Sequence, residues 1–234
     1  MKPSQLATAL QVMMSADVPT HLWGAPGIGK SSIVHQVAKK LNLELRDIRA
    51  VLTDPVDWRG LPVVKNGRAS WAMPDFLPHD PDSKGILFLD ELNAAPPIVQ
   101  AACYQLVLDR RLGDYRLPAG WRIVAAGNNE KDGAVVHRMS SALRSRFQHL
   151  QCEIDVSDWL AWALGANVRT EILAFIKFRP ELLHKFARDA QSFPCPRTWE
   201  FASRILDSKA PADIELPLYT GTIGEGAAAE LMAF

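Results

Sequence analysis

The chain has 234 residues, enough for one large domain, or a large and a small one, around a substantial core. Lys plus Arg number 26 and so do Asp plus Glu, so no global basic excess drives non-specific nucleic-acid binding, although local basic surfaces stay open. The 3 cysteines and 6 histidines are scattered, with no C-x-x-C or H-E-x-x-H, which excludes a disulfide framework or dedicated transition-metal site and suits a reducing compartment.

Met1–Leu10 lacks a long apolar leader core and no apolar run approaches a membrane span, so a cytoplasmic location without membrane partners is expected. Pro19–Trp23 reads as a short strand. It leads into Gly24-Ala25-Pro26-Gly27-Ile28-Gly29-Lys30-Ser31, which satisfies G-x-x-x-x-G-K-[ST] at every fixed position and is followed by Ser32. Glycines let successive backbone N–H groups turn onto phosphate oxygens. Lys30 then reaches the β- and γ-phosphates, and the Ser31 hydroxyl takes a position on Mg²⁺. Ile33, Val34, Val37, Ala38 and Leu41 recur at helical spacing, which puts the loop at a helix N-terminus, where phosphate binds best.

Leu43–Ala50 is a second strand, less clean in its alternation. Val63–Trp71 reads as a hairpin turning at Asn66-Gly67, a type I′ signal. Ile86–Leu89 is a continuous apolar run, as expected of a strand buried on both faces. Asp90 and Glu91 follow it directly. A carboxylate there, facing a phosphate loop, holds Mg²⁺ through water, and a second orients or deprotonates the attacking water. The competing use is electrostatic capping of a helix N-terminus.

Arg110–Pro118 is a second hairpin, polar at its tip. Both hairpins are either plain connections or projections facing a substrate or neighbouring subunit. Trp121–Ala126 is a fourth strand, expected beside the first and third. Asn128 at its end can touch both γ-phosphate and water, although Asn129 competes for that place and an Asx turn is the structural alternative. Arg144 and Arg146 precede the fifth strand, Gln148–Ile154, which alternates like an edge or half-covered strand. In a simple doubly wound sheet a guanidinium there is too far from its own phosphate loop, but it can reach the nucleotide of the next subunit in a ring. Otherwise the two are solvated or salt-bridged arginines.

Strands alternating with helices predict an α/β fold, a parallel five-stranded sheet with flanking helices, over residues 1–155. From Val156 the pattern is helix only, predicting a small all-helical lid domain over 156–234. Ser157 is the expected N-cap of a helix carrying Trp159, Leu160 and Leu164 and stopping at Gly165. Val168, Ile172, Leu173, Phe175 and Ile176 form the next helix, and another begins near Arg197 with Phe201 and Ile205 as buried candidates. Arg197 is either a surface arginine or a contact to the γ-phosphate that couples nucleotide state to domain closure. Glu225–Phe234 is an apolar helical pattern with no stop signal: a helix docked to its end, or a chain cut inside a longer protein.

Together, Gly24–Ser31, Asp90-Glu91, Gly127-Asn128, Leu143–Phe147 and Pro196-Arg197-Thr198 resemble the AAA+ ATPases, and within them the MoxR-type branch with its phage or prophage relatives. The likeness extends over nearly the whole chain. Thr53–Pro62 looks like that branch's stretch ahead of an insert in its second helix, and Arg110–Pro118 like its pre-sensor insertion. The resemblance implies ATP and Mg²⁺ as cofactors, Arg146 as arginine finger, Arg197 as second sensor, and a homo-oligomer, a hexameric ring, that remodels a protein partner. It also implies a von Willebrand A-type partner. Asn129 departs from the branch's pattern, in which a proline commonly follows the sensor asparagine. Two rivals stay open. One is an ATP-driven nucleic-acid motor or phage-type replication or restriction accessory, supported by Arg110, Arg111 and Arg116. The other is a nucleotide-gated scaffold without turnover, which the intact Asp90-Glu91 pair opposes.

Overall fold

The computed structural model describes residues 1–129, 137–187 and 190–234. Two compact units emerge: Gln5–Gly24 with Lys30–Gln151, and Cys152–Phe234 with Met1–Ser4 and Ala25–Gly29.

The first unit is built on five parallel strands: β1 (Thr20–Trp23), β2 (Glu44–Arg49), β5 (Lys84–Asp90), β8 (Gly120–Gly127) and β9 (Gln148–Gln151). Their order is β2-β5-β8-β1-β9, with each predicted strand present and its limits shifted by a few residues at most. The fifth strand lies at an edge, and the fourth lies between the first and third, as the alternation and the apolar runs led one to expect. Successive side chains of a strand point to opposite faces. Leu87, Leu89, Ile123 and Ala125 therefore enter one apolar cluster with Val99, Cys103 and Leu106 of helix α4 (Pro97–Asp109). Helix α2 (Lys30–Lys40) lies against β2, β5 and β8 and buries Ile33, Val34, Val37 and Ala38. Leu41 falls beyond the end of α2 and is exposed, because the helix stops at Lys40 before its next inward turn.

Three helices of this region have no counterpart in the strand-by-strand reading: α1 (Pro3–Ser15), the short α3 (Pro55–Arg59) and α4. In α3 and α4 a proline opens the first turn, where its missing N–H leaves no bond unmade. The first hairpin, β3 (Leu61–Lys65) with β4 (Arg68–Ala72), turns at Asn66 and Gly67, both at positive φ (52° and 71°). Its faces are not polar: Leu61, Val64 and Trp71 are exposed. The second hairpin, β6 (Arg111–Leu112) with β7 (Tyr115–Arg116), is anchored instead. Tyr115 is buried and donates its hydroxyl to the Pro78 carbonyl at 2.7 Å.

The second unit is helical after Cys152, as predicted: α5 (Ser141–Arg144) belongs to the first unit, and α6 (Val156–Gly165), α7 (Thr170–Phe178), α8 (Pro196–Ser208), α9 (Ala212–Ile223) and α10 (Glu225–Ala233) follow. Asp155, not Ser157, caps α6: its carboxylate accepts from the Asp158 N–H at 2.8 Å. That cap rotates the helix so that Trp159 and Ala163 point inward and Leu164 outward. In α8 the inward face is Trp199, Ala202 and Ser203, which leaves Phe201 exposed and Ile205 half-buried. Trp199 is fully buried, with its indole N–H on the Leu182 carbonyl at 2.8 Å.

Candidate active site

In a sheet of this kind functional loops collect at the carboxyl ends of the strands. Here β1, β5 and β8 deliver Gly24, Asp90-Glu91 and Asn128 to one end. The Lys30 ammonium, largely buried in the first turn of α2, donates to the Gly24 carbonyl at 2.8 Å and to the Asn128 amide oxygen at 2.9 Å. One cation thus joins the ends of the first and fourth strands. The Asn128 amide oxygen meets Lys30 directly. The Ser31 hydroxyl donates to one Asp90 carboxylate oxygen at 2.7 Å, and the other oxygen accepts the Glu91 N–H at 2.9 Å. Asp90 ends β5 half-buried, whereas the Glu91 side chain is exposed.

Glu91 itself sits in the left-handed region, φ 55°. That conformation costs a non-glycine residue roughly 1 kcal/mol or more. The Leu92 N–H on the Ala126 carbonyl (3.0 Å) and the Ala94 N–H on the Glu91 carbonyl (2.9 Å) hold the turn closed against β8.

Ser31 and Asp90 present hard oxygen donors side by side, the type that Mg²⁺ takes through one or two protein ligands and water. The donor set therefore fits the ion. Gly27 and Gly29 have φ of 77° and 95°, in the region that favours glycine and lets backbone N–H groups turn toward an anion. Within the helical unit the same loop is met by α8. The Arg197 N–H donates to the Gly27 carbonyl at 3.3 Å, and a Cβ on Gly27 would fall 2.6 Å from the Cys195 sulfur.

A model of the AAA domain (dynein-related subfamily) matches residues 19–147. The chain belongs to that AAA domain family. Its matched segment runs from the first strand of the sheet to the end of the Arg144–Arg146 segment. Solved structures share the fold at low identity. The RuvB Holliday junction branch migration motor of Thermotoga maritima aligns over 98% of this chain and 67% of its own, with 17% identity and a TM-score of 0.51. NtrX from Brucella abortus, in complex with ADP, aligns over 90% of this chain and 50% of its own at 15% identity and TM-score 0.56. A Cytophaga hutchinsonii structure aligns over 71% of this chain at 20% identity and TM-score 0.53, and the match spans 51% of that chain. The AAA domain here thus spans about half to two thirds of the length of these neighbours.

Arg146 and Arg144 stand differently in this AAA domain. The Arg146 guanidinium folds back on its own chain, donating to the Ala142 carbonyl and to the Ser145 hydroxyl (3.3 Å), with its carbon centre 4.5 Å from the Tyr104 ring centroid. Arg144 is exposed. Arg197 is exposed at the first turn of α8. Ala25, Pro26, Ile28 and Ser32 are loop or first-turn residues, of which Ile28 is buried and Ser32 exposed.

Two features of the site escape a reading of motifs. Asn93, almost fully buried, donates its amide to the Asn128 carbonyl at 2.8 Å and accepts the Asn128 N–H at 3.2 Å. Gly127 admits this pairing, since a Cβ there would lie 2.2 Å from the Asn93 oxygen. The available signal is a polar residue two places past Asp90-Glu91, inside an otherwise apolar stretch. The second is His21 of β1, fully buried and stacked on Trp23 at 4.1 Å between centroids, with neither ring nitrogen hydrogen-bonded among the described residues. Burial first, then repulsion from His149 when that ring is protonated and from Lys30, lower its pKa to about 3, so the His21 ring is neutral near pH 7.

Proposed function

We propose that this AAA domain is the motor of a ring-forming, MoxR-type ATPase that couples ATP hydrolysis to remodelling of a protein partner in the cytoplasm. The observation that carries the reading is the single ammonium of Lys30 shared between Gly24 and Asn128, beside Ser31 on Asp90. The loop Gly24–Ser32 cradles the phosphates and Lys30 leaves its two oxygen partners for the β- and γ-phosphates. Ser31 and Asp90 hold Mg²⁺, which when bound neutralises charge on the phosphates. Glu91 orients a water and takes its proton as the water oxygen bonds to the γ-phosphorus and the bond to the bridging oxygen breaks, giving ADP and phosphate. Asn128, released from Lys30, reads whether the γ-phosphate is present. Arg146 swings off Tyr104 to the nucleotide of the next subunit, or the exposed Arg144 takes that part. Arg197 completes the site from α8. A six-membered ring and a von Willebrand A-type partner complete the proposal by resemblance, together with a core at 1–155 and a lid at 156–234.

Lys30→Ala is expected to abolish nucleotide binding, whereas Glu91→Gln keeps binding and loses turnover by ~10²-fold or more. Phosphate release and fluorescent-nucleotide titration check both. Unchanged hydrolysis in Glu91→Gln would refute the role of Glu91.

A nucleic-acid motor is the second reading. Arg111 and Arg116 face each other across the base of the second hairpin, both exposed, so like charges concentrate there, behind a tip formed by Gly113 and Asp114. Arg110 contributes nothing there, because its guanidinium turns inward onto the Pro118 and Trp121 carbonyls (3.0 and 2.8 Å) and Asp17 (3.2 Å). Salt-sensitive stimulation of turnover by DNA would favour this reading over a protein substrate.

A further inference from the structure

Two aromatic side chains, Trp23 and His149, connect the root of the phosphate loop to the arginine segment within one subunit. Trp23, the last residue of β1, immediately precedes Gly24, whose carbonyl holds Lys30. Its indole N–H donates to Nδ1 of His149 on the neighbouring edge strand β9, at 2.8 Å. Indole nitrogen can only donate, so Nδ1 accepts and the imidazole proton resides on Nε2. That Nε2 lies 2.8 Å from the carbonyl oxygen of Arg144, the last residue of α5. The last carbonyls of a helix have no partner within it, and this one also accepts the Phe147 N–H at 3.2 Å. His21 and Phe147 floor the arrangement: His21 stacks on Trp23 and meets Phe147 edge-on at 5.6 Å.

We propose that His149 is a positioning residue for the arginine that this subunit lends to its neighbour. The Trp23 indole fixes the tautomer, and the Nε2 proton so placed pins the Arg144 carbonyl. The peptide from Arg144 to Arg146 is thereby held at a fixed height above the end of β1. Movement of the strand end that carries Gly24 is transmitted through two hydrogen bonds to the segment that carries the arginines. The inference rests on the proposed use of this segment across a seam between subunits.

The test is a complementation assay on full chains. His149→Phe keeps a flat ring but removes both hydrogen bonds. Its turnover number is expected to fall about tenfold or more while KM for ATP stays within about twofold. Mixing it with Lys30→Ala, which cannot bind nucleotide but carries intact arginines, should restore part of the lost turnover. His149→Gln, whose amide accepts from Trp23 and donates to Arg144, should retain most of it. Trp23→Phe, which removes the donor alone, should match His149→Phe and decides the question if that variant does not fold. A rise in KM without loss of turnover, or no recovery in the mixture, overturns the proposal.

Arg144→Ala and Arg146→Ala run alongside. If neither loses turnover, the seam itself is wrong and the inference falls with it. If one does and is complemented by Lys30→Ala, while His149→Phe works at the wild-type rate, the inference alone falls.

Discussion

His21 is the buried polar group on which the first unit's acid stability turns. Its pKa is about 3 in the folded chain against about 6.5 when exposed, so the unfolded chain binds the extra proton between those limits. Stability from the neutral ring is therefore fully present above about pH 6.5 and is lost as pH falls toward 3. Wild type should lose denaturant resistance between pH 7 and pH 4.5 by a larger margin than His21→Phe, which keeps the stack on Trp23 and has nothing to protonate. Parallel urea midpoints for the two chains across that range would show that His21 does not titrate as its surroundings dictate. At this scale the letters disclose Lys30, Ser31, Asp90, Glu91 and Asn128, because phosphate chemistry needs those types in that order. They do not disclose Asn93, Trp23 or His149, whose meaning arises only when β1, β8 and β9 lie side by side.

Among elements, the strands were the most legible. Ile86–Leu89 could hardly be anything but a doubly covered strand, and Asn66-Gly67 fixed a hairpin turn by its backbone requirement. Helix faces were harder: the cap of α6 is Asp155, two residues before the expected Ser157, with Leu164 outward, and in α8 Trp199 is buried while Phe201 is exposed. The meeting of α8 with the phosphate loop was not readable at all, because it depends on the absence of a side chain at Gly27. Gly27→Ala places a methyl 2.6 Å from the Cys195 sulfur and forces an alanine to φ 77°. Nucleotide affinity should drop by about tenfold or more, the size of effect expected when a loop of this kind must shift. Isothermal titration with ADP measures it, and wild-type affinity would mean that the loop yields without consequence.

For the whole molecule, the proposed ring makes one copy incomplete. Arg146 is folded onto Tyr104 of its own chain and Arg144 is exposed, so in an isolated chain the arginine proposed to cross to a neighbour has no nucleotide to meet. Specific ATPase activity should accordingly climb with protein concentration and then level off, in step with native mass measured with nucleotide. A flat profile from nanomolar to micromolar protein, with a monomer throughout, contradicts the ring. Among the described residues no helix is long and apolar enough to cross a membrane. Among the described residues Cys103, Cys152 and Cys195 form no disulfide and are buried.

The fit between Gly127 and Asn93 also constrains how this lineage can change. A methyl at 127 has no room while the longer amide stands opposite it. Position 93 must shorten first, and only then can 127 grow. Taken in the opposite sequence, the same pair of substitutions passes through an intermediate in which the end of β8 has lost its seat on Asn93.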